Sequence, residues 1–394
     1  MDAARRNVMV LAGCQALTQV KMTLLITIAG LVGYALASNK ALATLPLTIY
    51  VVASALTTLP SGAYMRRNGR RQGFTLGASF GIAGGLVCAA SVWMHAFWLF
   101  CIGCAILGVF VAFGRAYRFA AADAAPPDFK AKAISLVLAG GIVGGVLGPN
   151  VANWTHLSID GLPFAASFLA ISALATLTII ALRPLAIPPL TAAQLAEPGR
   201  PMREIMRQPA FIVAVTASAV SYGVMNLLMV ATPIAMHHHD YPFSSTALVL
   251  EWHVIGMFAP SFFTGHLITR FGVLPIMVCG ALLNVACIAV ALSGESVHHF
   301  WLSLFLLGVG WNFLFTAGST LLTECYRPVE RERTQSAHDF ITFSVMSVTS
   351  LISGAMLAHE GWGWNAINYG SLPFIGAVLV AVGWLAVKRR PAAA

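Results

Sequence analysis

The sequence predicts an all-α membrane protein of about twelve spanning helices, arranged as two pseudo-symmetric six-helix bundles, and three observations predict it. The first is composition. Of 394 residues, 58% are hydrophobic and only 9% charged, with mean hydropathy +0.80. A soluble domain carries roughly 25% charged residues, so most of this chain cannot face water. The second is a succession of apolar runs, each near the ~20 residues that a spanning helix needs. A membrane barrel would instead alternate in segments of about ten. The third is the placement of the cations, taken up below.

Apolar runs between charged or Pro/Gly-rich breaks predict spans at 8–36, 42–62, 75–94, 97–115, 133–153, 164–182, 210–236, 247–267, 275–293, 300–322, 338–358 and 371–387. One topology puts 21 of the 23 Lys and Arg on a single side. They are Arg5, Arg6, Arg66, Arg67, Arg70, Arg71, Arg115, Arg118, Lys130, Lys132, Arg183, Arg200, Arg203 and Arg207, then Arg270, Arg327, Arg331, Arg333, Lys388, Arg389 and Arg390. Lys40 falls in an opposite-side loop, and Lys21 sits inside the first span. By the positive-inside rule that side is cytoplasmic. Both termini are therefore expected in the cytoplasm, with the chain in a bacterial-type inner membrane. The net charge of +9 is then topology and not a nucleic-acid patch. Expected partners are the lipid bilayer and a small solute or metal ion, with no nucleic acid, and the chain is read as a monomer.

No cleavable leader is evident, because the first apolar run is too long and lacks a small-residue cleavage site. The seven cysteines lie almost wholly inside predicted helices, so no disulfide framework is implied. Arg183 to Gln208, rich in Pro and Arg, is the longest polar stretch. It divides the chain into a first half at 1–183, a linker at 184–208 and a second half at 209–394.

A repeat supports that division. Gly62-Ala-Tyr-Met-Arg66-Arg67-Asn-Gly69-Arg70-Arg71 follows the second span, and Gly265-His-Leu-Ile-Thr269-Arg270-Phe-Gly272 follows the eighth, at an offset of 203 residues. Two repeated six-helix halves are the architecture of major facilitators. Both segments resemble that superfamily's signature loop, G-x-x-x-D-R-x-G-R-R, whose glycines allow a tight turn. Its usual Asp is Arg66 here and Thr269 in the second copy, so the usual gating ion pair cannot form as such. The fifth span's Gly140-Gly141-Ile-Val-Gly144-Gly145-Val-Leu-Gly148-Pro149 resembles the same superfamily's glycine-proline helix. Its small residues permit close backbone approach.

Polar groups at membrane depth are costly, and so mark candidate sites. Here they are Gln15, Gln19 and Lys21 in the first span, Glu251 and His253 in the eighth, Asn312 in the tenth, and His338 and Asp339 opening the eleventh. Glu324, Arg115 and Arg118 lie near cytoplasmic ends, where snorkelling to headgroups explains them. Met225 and Met229 are four apart in the seventh span, as are His253 and Met257 in the eighth. That spacing puts each pair on one helical face. With the two spans antiparallel, Met225 and His253 come to similar depth in the outer half. Thioether and imidazole together favour Cu(I), while methionine is also a common core filler. Met236, His237, His238 and His239 in the outer loop can recruit a soft metal or form a solvated turn. Glu251 and Asp339 are the acids suited to carrying a proton, and Glu251 could instead pair with Lys21.

The pattern Met225-x-x-x-Met229 and His253-x-x-x-Met257 resembles the signature of CcoA-like transporters, a branch of the major facilitators. Met225-Asn-Leu-Leu-Met-Val-Ala-Thr-Pro233, Tyr117-Arg118-Phe-Ala-Ala-Ala-Asp123 and Gly310-Trp311-Asn312-Phe313 are similar too. The resemblance implies that Met225, Met229, His253 and Met257 bind copper as transported substrate, with no resident cofactor. Family importers also use thiols, one of them in the outer loop, where this chain has histidines. Close relatives of the same fold transport riboflavin, an aromatic neutral solute, and Gln15, Gln19, Asn226, Trp252, Trp311 and Asn312 supply stacking and hydrogen-bonding groups for one. Copper import by alternating access is the leading expectation, with riboflavin uptake the alternative and drug or metabolite efflux a second. A copper sensor or assembly factor lacks an output domain, and no nucleophile–base pair or phosphate loop suggests an enzyme.

Overall fold

The computed structural model describes residues 3–156, 158–159, 161–191, 193–194, 197–358 and 364–389. Arg390 and linker positions 192, 195 and 196 lie outside the described residues. Among those described, the chain is helical with no strand. Ten helices are long and apolar enough to cross a membrane, and Ala165–Ala181 is apolar but shorter. Arg331–Ala358 is long but opens on charged residues. With these two, the helices fall at the twelve predicted spans.

The helices outrun the apolar runs at their basic ends. The first begins at Ala3, the second runs Leu45–Asn68, the fourth continues past Phe97–Gly114 as Tyr117–Asp123, and the eleventh begins at Arg331. A helix satisfies its own backbone whatever the side chains are. Long cationic side chains can lay apolar stems along it and reach polar surroundings at the tip. Hydropathy therefore locates the apolar run and not the helix end.

The repeated motif is correspondingly more helical than a loop. Gly62 and Gly265 lie inside helices, and the chain turns only at Gly69 (φ 83°) and Gly272 (φ 89°). Those angles belong to the left-handed region that glycine enters freely, and both fall at the same place in the repeat. Gly62 and Gly265 instead provide close approach. A Cβ on Gly62 would run into the hydroxyl of Ser336, and one on Gly265 would meet Lys132 Cα at 2.6 Å and Ala131 O at 2.8 Å.

The chain forms two compact units. The first is Met1–Pro126, Gly140–Pro198 and Arg331–Phe340, and the second is Pro127–Ala139, Gly199–Glu330 and Ile341–Ala394. The two expected halves differ from these units by an exchange of helix ends. Residues 127–139 of the fifth helix group with the second unit, where Ser135 Oγ donates to Ser261 O and accepts from Gly265 N at 3.0 Å. Residues 331–340 of the eleventh group with the first, at Gly62. The fifth helix is interrupted at Gly140, where one unit gives way to the other, and Pro149 sits further along inside it.

In the first unit, third and fourth helices close through Gly77 against Phe113 and Gly84 against Leu107, the small-residue packing that lipid favours. The linker is anchored at both ends. Asn7 Nδ2 donates to Ala186 O at 2.9 Å and Asn7 Oδ1 accepts from Ala186 N at 3.0 Å, within the first unit. In the second unit, Arg200 Nη2 donates to Glu330 Oε2 at 2.7 Å and Gln208 Nε2 to Cys325 O at 2.9 Å.

Candidate functional site

The second unit holds the candidate metal pairs. The eighth helix breaks at Ala259-Pro260, between Phe243–Phe258 and Ser261–Phe271. Asn312 clamps that break. Its Nδ2 donates to Met257 O at 2.6 Å and Ser261 Oγ at 2.5 Å, and its Oδ1 accepts from Thr264 Oγ1 at 2.7 Å. Its amide is thus spent on holding two half-helices to the tenth.

His253 is fully buried, with Nδ1 at 2.8 Å from Leu304 O. A carbonyl only accepts, so Nδ1 carries the proton, and Nε2 is left as an acceptor with no partner among the described residues. Gly308 makes this approach possible, because a Cβ there would meet His253 O at 2.5 Å and Met257 N at 2.8 Å. The polar contact of His253 is therefore with the tenth helix, a neighbour that its four-residue spacing from Met257 leaves unspecified. Met225 and Met257 are buried and Met229 is half-buried. Met236 is turned inward among Ala235, Val249, Phe300 and Leu304, while His237, His238 and His239 are exposed. Met236, His237 and His238 form the last turn of the seventh helix, Pro209–His238, and not the expected outer loop, and the quartet splits between core and surface, with His239 Nδ1 at 3.6 Å from Glu295 Oε2. Among the described residues, no three His, Cys, Asp or Glu side chains gather so as to hold a metal ion.

The remaining polar candidates separate as well. Asn226 Nδ2 donates to Met346 O at 3.2 Å, bracing the eleventh helix. Trp252 is 38% exposed, its ring 5.6 Å from Trp301 and 6.1 Å from Phe305. Glu251 is exposed beside it. In the first unit Gln15 and Gln19 are half-buried, and Gly144 of the fifth helix lies against the stem of Gln19. Lys21 is buried; its Nζ donates to Thr178 Oγ1 at 2.7 Å and stands 4.4 Å from the Phe110 ring centre. Those groups are its partners within the first unit.

Asp339 is not a lone acid. Its Oδ1 accepts from Arg118 Nη2 and lies 2.9 Å from His338 Nδ1. Beside this pair, Arg70 Nη2 donates to Asp123 Oδ2 at 2.6 Å and Gln335 Oε1 at 2.7 Å, with Glu332 Oε1 at 3.8 Å from its Nε. Thr58, Ser61 and Ser336 complete a small polar cavity at this junction. Arg118 departs from its expected snorkelling role. It is 4% exposed and turned inward, because the fourth helix continues to Asp123 and carries Arg118 on its packed face.

One cluster in the second unit was only partly foreseen. Near the middle of the seventh helix, the Tyr222 ring stands edge-on to Trp311 (5.2 Å, 88°) and to Phe315 (4.9 Å, 89°). Phe343 lies 5.0 Å from Tyr222, Trp311 stacks on Phe315 at 5.1 Å and 21°, and Phe258 meets Trp311 edge-on at 5.8 Å. Trp311 was a candidate from the sequence. Tyr222 and Phe343 sit in apolar runs where an aromatic reads as filler, and only the tertiary contacts single them out.

The sequence profile of the Major Facilitator Superfamily matches residues 11–250 and 214–394. With the helical architecture and buried polar sites above, this defines a multi-pass membrane transporter and not an enzyme. The chain belongs to the Major Facilitator Superfamily. It is 42% identical over 394 residues to the riboflavin transporter RfnT of Brucella anthropi, covering 100% of this chain and 98% of that one. It is 28% identical over 371 residues to the uncharacterized transporter YddS of Bacillus subtilis, covering 90% and 84%. Among solved structures it resembles FucP in an outward conformation, with TM-score 0.81, 13% identity and coverage of 97% and 99%. It also resembles the human organic anion transporter MFSD10, with TM-score 0.79, 14% identity and coverage of 97% and 100%. Of these, the likeness to RfnT along the whole chain fits the riboflavin alternative better than the copper expectation, and the likenesses to solved structures show the fold.

Proposed function

We propose that the chain is a secondary active transporter that takes up riboflavin, or a closely related aromatic solute, across a bacterial inner membrane with both termini cytoplasmic. The observation that carries this reading is the 42% identity to a riboflavin transporter along the whole chain. The mid-helix aromatic cluster of the second unit supports it, since solute sites of such transporters lie near the bilayer midplane. Pockets for aromatic ligands combine apolar rings with a few placed polar groups.

Copper is the second reading, and His253 is the observation that favours it. An imidazole whose Nδ1–H is fixed on a backbone carbonyl presents Nε2 as a metal ligand does, and Met257 lies one turn on. A single preparation distinguishes the two. Expressed in a riboflavin auxotroph that lacks its own uptake system, the chain restores growth on low riboflavin and accumulates labelled vitamin saturably. Failure to do so, with cellular copper rising in a manner lost in His253→Leu at normal expression, overturns the riboflavin reading.

A further inference from the structure

Resting on the riboflavin reading, we infer that Tyr222 and Trp311 form the seat of the flavin ring, with the Trp311 indole N–H donating to a ring carbonyl. Trp311 is 1% exposed, and its Nε1 has no hydrogen-bond partner among the described residues. A buried Trp N–H ordinarily finds an acceptor, and leaving one unmet costs about 1–3 kcal/mol. The surroundings supply rings instead: Tyr222, Phe315 and Phe258 all meet the indole or its stacked partner within 5.8 Å. Two more buried hydroxyls without partners among the described residues flank the cluster in sequence, Thr316 next to Phe315 and Thr342 next to Phe343. A purely apolar core would have no use for this combination of stacked aromatic faces and unmet polar atoms.

The isoalloxazine system complements it. The flavin ring is flat and neutral, with carbonyl oxygens at its edge and extended π faces. Tyr222 is half-buried, whereas Trp311, Phe315 and Phe343 are buried. Tyr222 is therefore the accessible member, edge-on to the Trp311–Phe315 stack, and the one against which an arriving ring packs first. Tyr222 and Trp311 each sit near the middle of their helices, Pro209–His238 and Val297–Leu322. At that depth water offers little competition for the indole N–H. The ribityl hydroxyls are left to the other polar groups, so the ring carries the affinity.

The test uses the full chain reconstituted in proteoliposomes, with labelled riboflavin. Trp311→Phe keeps a ring and removes the N–H, and is expected to raise KM by about tenfold, the worth of one buried hydrogen bond. Tyr222→Leu removes the accessible face and is expected to abolish the quenching of flavin fluorescence on binding. Trp98→Leu, an exposed tryptophan of the first unit, is the control and leaves both unchanged. A ligand-side measurement needs no variant: lumichrome, the flat alloxazine ring that remains when the ribityl chain is lost, should compete with riboflavin in the unmodified chain, and ribitol should not. Normal riboflavin uptake with wild-type KM in both well-folded variants, or competition by ribitol and not by lumichrome, overturns the ring seat and leaves the transport reading standing. No riboflavin uptake by the unmodified chain overturns the transport reading and the seat with it.

Discussion

The guanidinium of Arg118 is closed onto the carboxylate of Asp339, with both side chains 5% exposed and His338 completing the carboxylate's shell. Arg118 lies near the end of the fourth helix and Asp339 in the opening turns of the eleventh, so the pair fixes one helix end on another. Of the two acids first considered for proton carriage, Asp339 is the one the structure has already paired.

Removing one member of a buried pair strands the other charge, which costs about 3–5 kcal/mol, while replacing both by apolar residues can be nearly neutral. Asp339→Leu and Arg118→Leu should each lower the melting temperature of the detergent-solubilised chain sharply, and the double variant should recover much of the loss. Additive losses in the double variant would mean that the pair is not coupled.

The linker anchor gives a pH prediction. Glu330 accepts from Arg200 Nε at 3.0 Å, from Arg200 N at 2.8 Å and from Arg327 N at 3.0 Å, and these donors hold its carboxyl well below the usual carboxylate value of 4.5. A depressed folded-state pKa gives stability that is fully present above the unfolded value and fades as pH falls from there toward the folded one. Stability should therefore decline below about pH 4.5 in the wild type. That part of the acid slope should be missing in Glu330→Gln, which starts less stable at neutral pH. Identical acid melting profiles for the two proteins would refute the assignment.

The Gly62 and Ser336 contact leaves no room for a methyl group. Gly62→Ala should cost about 1–3 kcal/mol as overpacking, seen as a lower melting temperature, and Ser336→Gly in the same chain should restore most of it. Lack of rescue would place the strain elsewhere.

Asn312→Leu removes a donor pair and an acceptor that serve Met257, Ser261 and Thr264. Each buried group left unmet costs about 1–3 kcal/mol, so the variant should be poorly stable. Its folded fraction should keep a normal riboflavin KM, because Asn312 is occupied by the helix break. A KM effect larger than that of Trp311→Phe would instead put Asn312 at the solute.

Composition and apolar runs determined the helices and their number, because lipid admits only segments whose backbone is satisfied within themselves, and the recurrence of the Gly62 motif at Gly265 marked the two-fold repeat. The same residues left the helix ends undefined, since an arginine or glutamate is as helical as the leucine before it. Spacing placed His253 and Met257 on one face but could not say which neighbour that face meets. Gly308 decided it, by letting the tenth helix close on His253. Apolar runs place Lys21 at membrane depth and Arg118 near a helix end, yet both are buried, one against a hydroxyl and a ring and the other against a carboxylate. Tyr222 carried no signal at all in its apolar run. A residue's type fixes what it can bond, and periodicity fixes its face. Which distant group arrives there is settled only when helices far apart in sequence pack.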